Sequence, residues 1–431
     1  MSPPDRPEWS ETGFPHIWLP YSQMKTTPRP VEAVATDGVR IRLADGRELV
    51  DGVASWWTAC HGYNHPHIRA AVTDQLERMP HVMLGGFVHE PALTLARRLS
   101  EILPGDLGHV FFSESGSVSV EIAMKMAVQY WLNQGIKGRA RFVSFRFGYH
   151  GDTIGAMSVC DPDEGMHTMF HGLLPEQIVV DLPRDDAGFE QFDRVLASRA
   201  DEIAAVMLEP LVQAAGGMKF HDPSVLRRIA ALCRKHDVLL VVDEIATGFC
   251  RTGTMFACEQ AGVCPDIVTL SKSLTGGTMA LAATVATDRV YDAFLSDRFD
   301  AALMHGPTFT GNPLACAAAN ASLDLFEREP RQDQAKRIEK QLLRDLQPCV
   351  GLPGVADVRC LGAIGVVQLD GPMDLNALRG RFVEKGVWIR PFGDIVYVMP
   401  PLVIEPEDLA VLTGAIIDVV GEWSAALSSG Q

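Results

Sequence analysis

The sequence predicts an α/β fold in which a mostly parallel sheet is flanked by helices. Between about residues 61 and 329, short apolar runs alternate with segments of helical period. The runs are apolar throughout, as in strands that are buried on both faces. One helical segment, Val118–Trp131, carries apolar side chains four residues apart. Strands and helices in this alternation are typical of a doubly wound domain.

The elements follow in chain order. The proline-rich start predicts an extended arm, and 31–53 predicts strands around an Asp45-Gly46 turn. Strands of the large domain are expected near Val110–Ser113, Phe142–Phe145, Ile178–Val180, Ala205–Leu208, Val238–Val242 and Ile267–Leu270. A charged helix, several short strands and a last helix from about Glu407 follow Glu329. We expect the arm and part of a small domain in 1–60, a large cofactor-binding domain in 61–329 and the C-terminal small domain in 330–431.

Composition excludes several classes of partner. The 431 residues carry a formal net charge of −16, which argues against nucleic acid or an anionic membrane surface. The nine cysteines show no C-x-x-C spacing, and the start of the chain shows no basic and apolar leader. No run approaches the ~18 apolar residues that span a bilayer. We therefore expect a cytoplasmic protein without membrane contact.

Two polar side chains follow buried strands closely. Asp243 ends the run Val238–Val242, and Lys272 comes just after Ile267–Leu270. In open parallel sheets, ligand-binding residues collect at the carboxyl ends of strands. A lysine and a carboxylate there suit pyridoxal phosphate, through a Schiff base and a protonated pyridine nitrogen. The alternative is that both groups only cap strands and face solvent.

Further motifs occupy strand ends. Gly116 and Ser117 begin a helix after a strand, where free backbone N–H groups favour a phosphate; a plain serine N-cap is the alternative. Tyr149, between glycines in Gly148–Gly151, could lie against a planar cofactor or belong to a surface turn. Glu209 places another carboxylate after a strand.

These motifs, in this order, resemble the class III aminotransferases, which are fold type I pyridoxal phosphate enzymes. The resemblance covers about residues 18–401. It implies pyridoxal 5'-phosphate as cofactor and a homodimer with shared active sites. Lys272 would bind the cofactor and move a proton, Asp243 would pair with the pyridine nitrogen, and Tyr149 would pack on the ring. The cofactor-binding residues implied are Gly116, Ser117, Tyr149, Glu209, Asp243 and Lys272, with Pro307 and Thr308 from the neighbouring subunit.

Within the family, other motifs resemble the members that convert 8-amino-7-oxononanoate to 7,8-diaminononanoate in biotin biosynthesis, mostly with S-adenosylmethionine as amino donor. The most specific is an adjacent tryptophan pair, which on a strand would point to opposite faces. An aliphatic keto acid needs apolar walls and a distant cation, and Arg390 would bind its carboxylate. The substrate-binding residues implied are Tyr21, Trp56, Trp57, Gly306, Arg390 and Tyr397.

Alternatives stay open at this point. Relatives that use lysine as donor share the cofactor residues, and another class III transaminase, acting on an ω-amine or β-amino acid, is the second hypothesis. A binding protein that has lost catalysis is the third. Leu19, Cys250 and Gly393 depart from the pattern of the relatives, and Asp152 and Arg251 are open candidates for substrate contact. His61, His65 and His67 flank Gly62 and Pro66 in a turn with no paired carboxylates or thiols nearby, so we expect no metal.

Overall fold

The computed structural model describes residues 6–163, 167–170 and 172–429. In chain order the strands are β1 Ala33–Asp37, β2 Arg40–Leu43, β3 Glu48–Asp51, β4 Leu107–Ser113, β5 Arg141–Phe145, β6 Ile178–Val180, β7 Ile203–Leu208, β8 Val212–Gln213, β9 Lys219–Phe220, β10 Leu239–Asp243, β11 Ile267–Leu270, β12 Ala282–Thr287, β13 Val355–Leu361, β14 Ile364–Leu369, β15 Val387–Trp388 and β16 Ile395–Val398. The helices are α1 Glu8–Gly13, α2 Ala54–Trp57, α3 Pro66–Arg78, α4 Glu90–Ile102, α5 Gly116–Asn133, α6 Ile154–Ser158, α7 Asp186–Arg199, α8 Pro223–Lys235, α9 Ala257–Ala261, α10 Asp288–Asp292, α11 Pro313–Arg328, α12 Arg331–Asp345, α13 Leu375–Glu384 and α14 Pro406–Ser429.

The chain divides into two compact units, 66–335 and 1–65 with 336–431. The sequence places the domain boundaries after residues 60 and 329, and those boundaries stay a prediction.

The described part of unit 66–335 contains a seven-stranded sheet in the order β4-β12-β11-β10-β7-β5-β6. Its strands run parallel except β12, which is antiparallel to both β11 and β4. Adjacent residues of strand β7 pack into different apolar clusters, one on each face of the sheet: Val206 belongs to one cluster and Met207 to the other. Both faces of the sheet are therefore covered, and the predicted α/β class is confirmed. Strand β12 was missed because its sequence, AATVAT, is mostly alanine and threonine and does not form the continuous run of large apolar residues that marks its neighbours.

Unit 1–65 with 336–431 is built on smaller sheets. One has the order β1-β2-β3-β15, and the other has the order β13-β14-β16. The predicted hairpin is present, since β2 and β3 pair antiparallel across the turn at Asp45 and Gly46. The strand β15 adds to β3 in parallel, so chain from both ends builds one sheet, as the sequence predicts.

The tryptophan pair does not lie on a regular strand, because the backbone is irregular there. Element α2 is a single left-handed turn, with φ values of 46°, 49°, 66° and 74° for Ala54, Ser55, Trp56 and Trp57. It is closed by hydrogen bonds from the N–H of Trp57 to the carbonyl of Val53 and from Thr58 to Ala54. This conformation costs about 1–2 kcal/mol for each residue other than glycine. Apolar period and propensity do not predict such a turn.

One expectation, for the N-terminal arm, needs correction. The N-terminal arm is not extended throughout, because Glu8–Gly13 forms a short helix whose first turn is acidic. Among the described residues, Pro406–Ser428 of α14 is long and apolar enough to cross a membrane by length and composition, with mean hydropathy 1.5. Charged residues such as Asp418 interrupt its apolar run, which is why the sequence did not reveal it. Core helices pass the same test, and 44% of the tested window is buried, so the feature is a weak indication.

Candidate active site

Two neighbouring parallel strands bring the predicted aspartate and lysine to one end of the sheet. Asp243 is the last residue of β10 and pairs in register with Thr269 of β11. Lys272 follows the end of β11 by two residues and has a φ of 35°, a left-handed backbone that is costly for a long side chain. The parallel arrangement therefore places the two side chains as the sequence predicts.

Asp243 is buried and heavily hydrogen-bonded. Its Oδ2 lies 2.8 Å from Nδ1 of His150, and its Oδ1 accepts from the N–H of Ile245 and the hydroxyl of Thr269, both at 3.1 Å. Burial by itself lowers the pKa of His150, but the hydrogen bond and charge of Asp243, together with the charge of Glu209, outweigh it and raise that pKa. The aspartate is thus held in one orientation by polar partners on several sides.

Lys272 is half-buried beside several charges. Burial lowers the pKa of its amine below the usual range, the Asp243 and Glu209 carboxylates oppose this, and the Arg251 guanidinium adds to it. A lower pKa increases the neutral fraction of the amine, which is the nucleophilic form. This is the electrostatic setting that Schiff-base chemistry requires.

The start of helix α5 provides a place for an anion. Ser115 caps the helix, accepting from the N–H of Val118, so Gly116 and Ser117 lie in the first turn, where the N–H groups lack intrahelical partners. The N–H of Asp152 donates to Oγ of Ser117 over 3.0 Å. Gly151 is packed against this turn: a Cβ there would lie 2.1 Å from Ser117 Oγ, and its φ is +131°. Only glycine fits this close approach. The serine motif therefore contains both a capping side chain, Ser115, and a following first turn whose backbone N–H groups have no intrahelical partners.

Tyr149 belongs to a small polar group. Its hydroxyl donates to Oδ1 of Asp152 over 3.0 Å, and the same carboxylate oxygen lies 2.9 Å from Nε2 of His167. The Tyr149 and His167 rings are nearly parallel, 24° apart, with centroids separated by 6.0 Å. The tyrosine ring is thereby oriented by the side chains around it.

Glu209 connects the tyrosine loop to strand β7. Its Oε2 accepts from the N–H of Tyr149 over 3.1 Å, and its Oε1 accepts from the N–H of Ala214 over 2.9 Å. Burial raises its pKa to about 7; the charge of His150 opposes this and that of Asp243 adds to it. The carboxylate therefore orients the backbone of the loop that carries Tyr149 and His150.

Glu244, next to Asp243, is a second buried carboxyl. It accepts from the hydroxyl of Thr247 at 2.5 Å and from the N–H of Cys258 at 2.8 Å. Burial raises its pKa to about 7, against the opposing effect of these donors. Below pH ~4.5 the group is neutral both folded and unfolded, so folding carries no cost of burying a charge. That cost grows as the pH rises and is complete above the folded-state pKa.

The expected substrate residues of unit 1–65 with 336–431 form an aromatic cluster. The Arg390 guanidinium lies 4.5 Å from the centroid of the Trp56 ring, and Tyr21 packs on Trp56 edge to face at 6.1 Å. Trp57 is buried and donates from Nε1 to the hydroxyl of Tyr397 over 3.0 Å. No carboxylate in the described chain pairs with Arg390, which leaves its charge for another anion.

A second cation near Arg390 was not predicted from the sequence. Arg379, on helix α13, has its pKa lowered by burial and by the charge of Arg390. Its Nε is buried without a hydrogen-bond partner. Nothing in the sequence distinguishes it from the neighbouring surface arginines.

Thr308, expected to act across a subunit interface, lies in a loop of unit 66–335 with the predicted cofactor residue Pro307 and the predicted substrate residue Gly306. Gly306 and Thr308 are exposed and Pro307 is half-buried. The loop is held to β4, since Thr310 donates to the carbonyl of Phe112 over 2.7 Å. The structure contains one chain, so their part in a partner's site stays a prediction.

The groups brought together in unit 66–335 fit pyridoxal phosphate. The set holds a lysine of lowered pKa, an oriented carboxylate for the pyridine nitrogen, an oriented aromatic ring and a helix start for the phosphate. The sequence motif pointed to Tyr149 and not to its neighbour His150, the side chain in contact with Asp243. Among the described residues, no group of three or more His, Cys, Asp or Glu could hold a metal ion.

Comparisons with known proteins agree with this chemistry. A Corynebacterium glutamicum protein named adenosylmethionine-8-amino-7-oxononanoate aminotransferase is 46% identical over 96% of this chain and 98% of its own. The crystal structure of the enzyme of that name from Methanocaldococcus jannaschii has a TM-score of 0.91 at 34% identity, covering 96% of this chain and 98% of that one. An amine transaminase from an uncultivated Pseudomonas species, in its PLP-bound form, has a TM-score of 0.88 at 32% identity, covering 95% and 99%. The sequence model of the aminotransferase class-III family matches residues 21–420. The chain is a class III aminotransferase.

Proposed function

We propose that the protein transfers an amino group from S-adenosylmethionine to 8-amino-7-oxononanoate, forming 7,8-diaminononanoate in biotin biosynthesis. The observation that carries the proposal is the cluster of Trp56, Trp57, Tyr397 and Arg390. It combines aromatic walls with an arginine whose charge has no carboxylate partner in the described chain. The proposal also matches the name of the 46% identical relative.

The acceptor is a long methylene chain with a carboxylate at one end and a ketone near the other. Arg390 would bind the carboxylate through charge-assisted hydrogen bonds, and the aromatic side chains would bury the methylene groups. The Trp56 ring already orients the guanidinium from one side. A short acceptor such as pyruvate would make none of the apolar contacts.

Pyridoxal phosphate, when bound, supplies an aldehyde that receives the amino group and a ring that stabilises charge on the substrate carbon. Lys272 would hold the cofactor and afterwards move a proton at its Nζ. Asp243 would keep a proton on the pyridine nitrogen, with its carboxylate held by His150 and Thr269. Gly116 and Ser117 would hold the phosphate.

We expect the purified protein to be yellow with bound cofactor, and borohydride to attach the cofactor covalently to the wild type but not to Lys272→Ala. A colourless wild type that does not change on addition of pyridoxal phosphate would remove the basis of the proposal. The substrate is tested with a donor–acceptor panel: S-adenosylmethionine or lysine as donor, with 8-amino-7-oxononanoate or pyruvate as acceptor.

Turnover of the nonanoate with S-adenosylmethionine supports the proposal, and turnover with lysine changes only the donor. The second candidate is an amine transaminase, favoured by the 32% identical solved structure of that activity. Turnover of pyruvate without turnover of the nonanoate would establish that candidate instead.

The active unit in this proposal is a homodimer. Thr308 is exposed and would reach the phosphate of the partner, and the large apolar side chains of Phe299 and Phe309 nearby are 83% and 52% exposed. Light scattering should give twice the mass of one chain, and Thr308→Ala should weaken cofactor binding. An active monomer would contradict the shared site.

The proposed location is the cytoplasm. All nine cysteines are free, and most are buried, as in proteins of reducing compartments. Cell fractionation followed by immunoblotting tests this, and recovery in a membrane or exported fraction would overturn it.

A further inference from the structure

The left-handed turn Ala54–Trp57 needs a reason to persist, because none of its residues is glycine. Strain of this kind survives only where the surrounding structure determines the conformation. The turn carries both tryptophans of the proposed substrate cluster. The side chain that holds the turn therefore controls where the two indole rings lie.

Asp51, the last residue of β3, is that side chain. Its carboxylate is fully buried and accepts from three donors: Oδ1 from the N–H of Val53 at 2.9 Å, and Oδ2 from the N–H of Ser55 at 2.7 Å and from the hydroxyl of Tyr63 at 2.6 Å. Two of the three donors are backbone groups at the entry to the turn and inside it. An ionised carboxylate is the side chain best suited to accept from several donors at once.

The turn sends its tryptophans to different neighbours. Trp56 is 40% exposed and stacks with the Arg390 guanidinium, whereas Trp57 is buried and bonded to Tyr397. On a regular strand or a right-handed helix, the two adjacent side chains would point in other directions and would not both reach these neighbours. Relaxation of the turn would therefore move the aromatic wall and the support of Arg390 together.

We propose that Asp51 is a positioning residue: its carboxylate clamps the left-handed turn and thereby sets the aromatic wall and arginine that select a long acceptor with a terminal carboxylate. This inference rests on the proposed function for the identity of the acceptor. It does not rest on that function for the conformation of the turn, which can be measured without substrate.

The test uses three variants of the cofactor-loaded protein. Asp51→Asn keeps the side-chain size but has one acceptor oxygen, so in either orientation its amide NH2 faces a backbone N–H, that of Val53 or that of Ser55. Tyr63→Phe is the matched control, because it removes the hydroxyl that contacts the side chains of Asp51 and Ser55 and leaves the carboxylate bonded to the backbone of the turn. Asp51→Asn with Ser55→Gly is the rescue, because glycine adopts a left-handed backbone without strain.

We expect Asp51→Asn to raise KM for 8-amino-7-oxononanoate on the order of tenfold with little change in kcat, since a displaced binding wall weakens substrate binding. Its near-ultraviolet circular dichroism, which reports the tryptophans, should change. Tyr63→Phe should lower thermal stability but keep KM within about twofold. In the rescue variant, KM for 8-amino-7-oxononanoate and the near-ultraviolet spectrum should return most of the way to their wild-type values.

An unchanged KM and spectrum in Asp51→Asn would overturn the clamp, as would an equal rise of KM in Tyr63→Phe. A wild type that does not use the nonanoate would defeat the proposed function alone. The clamp would then be judged from the near-ultraviolet spectra. Loss of the wild-type tryptophan signal in Asp51→Asn and its return in the rescue variant support the clamp, and the absence of either change contradicts it.

Discussion

The hydrogen bond between Trp57 and Tyr397 allows a quantitative test of the aromatic cluster. The indole Nε1 and the phenolic oxygen are 3.0 Å apart, and the residues are 4% and 1% exposed. The rings meet edge to face at 6.2 Å. Tyr397→Phe keeps this packing and removes only the acceptor, so the buried indole N–H loses its hydrogen bond to Tyr397.

An unsatisfied buried donor costs about 1–3 kcal/mol, more than the net value of a hydrogen bond between two exposed groups. We therefore expect Tyr397→Phe to lower the free energy of unfolding by about 2 kcal/mol. Trp57→Phe should cost as much or more, because the smaller ring also leaves a cavity. In the Trp57→Phe background no indole N–H remains, and Tyr397→Phe should then cost less than about 1 kcal/mol.

The assay is a double-mutant cycle by equilibrium urea unfolding, with all four proteins at one protein concentration and one pyridoxal phosphate concentration. The predicted coupling energy is about 1–2 kcal/mol. Coupling below about 0.3 kcal/mol would mean that the two groups do not share a buried hydrogen bond, and the reasoning about the cluster would be wrong.

The remaining predictions concern the acceptor, the pH dependence of stability and the phosphate site. Arg390→Ala should raise KM for the keto acid acceptor on the order of 10- to 100-fold, because a charge-assisted contact is lost, with a much smaller effect on the amino donor; equal losses for both substrates in steady-state kinetics would show that the carboxylate binds elsewhere. Glu244→Gln should not change stability near pH 4.5 but should stabilise the protein by up to about 3 kcal/mol at pH 8. At pH 8 the wild type must bury an ionised carboxyl, because the folded-state pKa of Glu244 is about 7. Thermal unfolding of both proteins across that pH range measures this, and a stability difference independent of pH would contradict it. Gly151→Ala should weaken pyridoxal phosphate binding at least tenfold in a spectroscopic titration, because the added Cβ would overlap Ser117 and displace the start of α5; unchanged affinity would argue against a phosphate at that helix start.

Patterns of local origin were predictable from the sequence. Continuous apolar runs predict buried parallel strands, and a parallel sheet brings strand ends to one edge. Asp243 and Lys272 could therefore be expected near each other from the residue order alone. The hairpin at Asp45 and Gly46 was predictable for a similar reason, since its turn residues act locally.

The side-chain network around those residues was not predictable. His150 lies 93 positions from Asp243, and their 2.8 Å contact depends on how two loops meet. Arg379 has no sequence feature that sets it apart. Contacts between residues distant in the chain follow from packing, which no local pattern encodes.

The sequence by itself determined the fold class, the pyridoxal phosphate chemistry and the family, because each depends on residue types at strand ends. The tertiary structure decided how the tryptophan pair is presented. On a regular strand Trp56 and Trp57 would point to opposite faces, whereas the chain makes a left-handed turn that local propensity disfavours. The buried carboxylate of Asp51 accepts from two backbone N–H groups at the turn and from the hydroxyl of Tyr63, beyond the turn itself. Strain offset by contacts of this kind exists only in the folded chain.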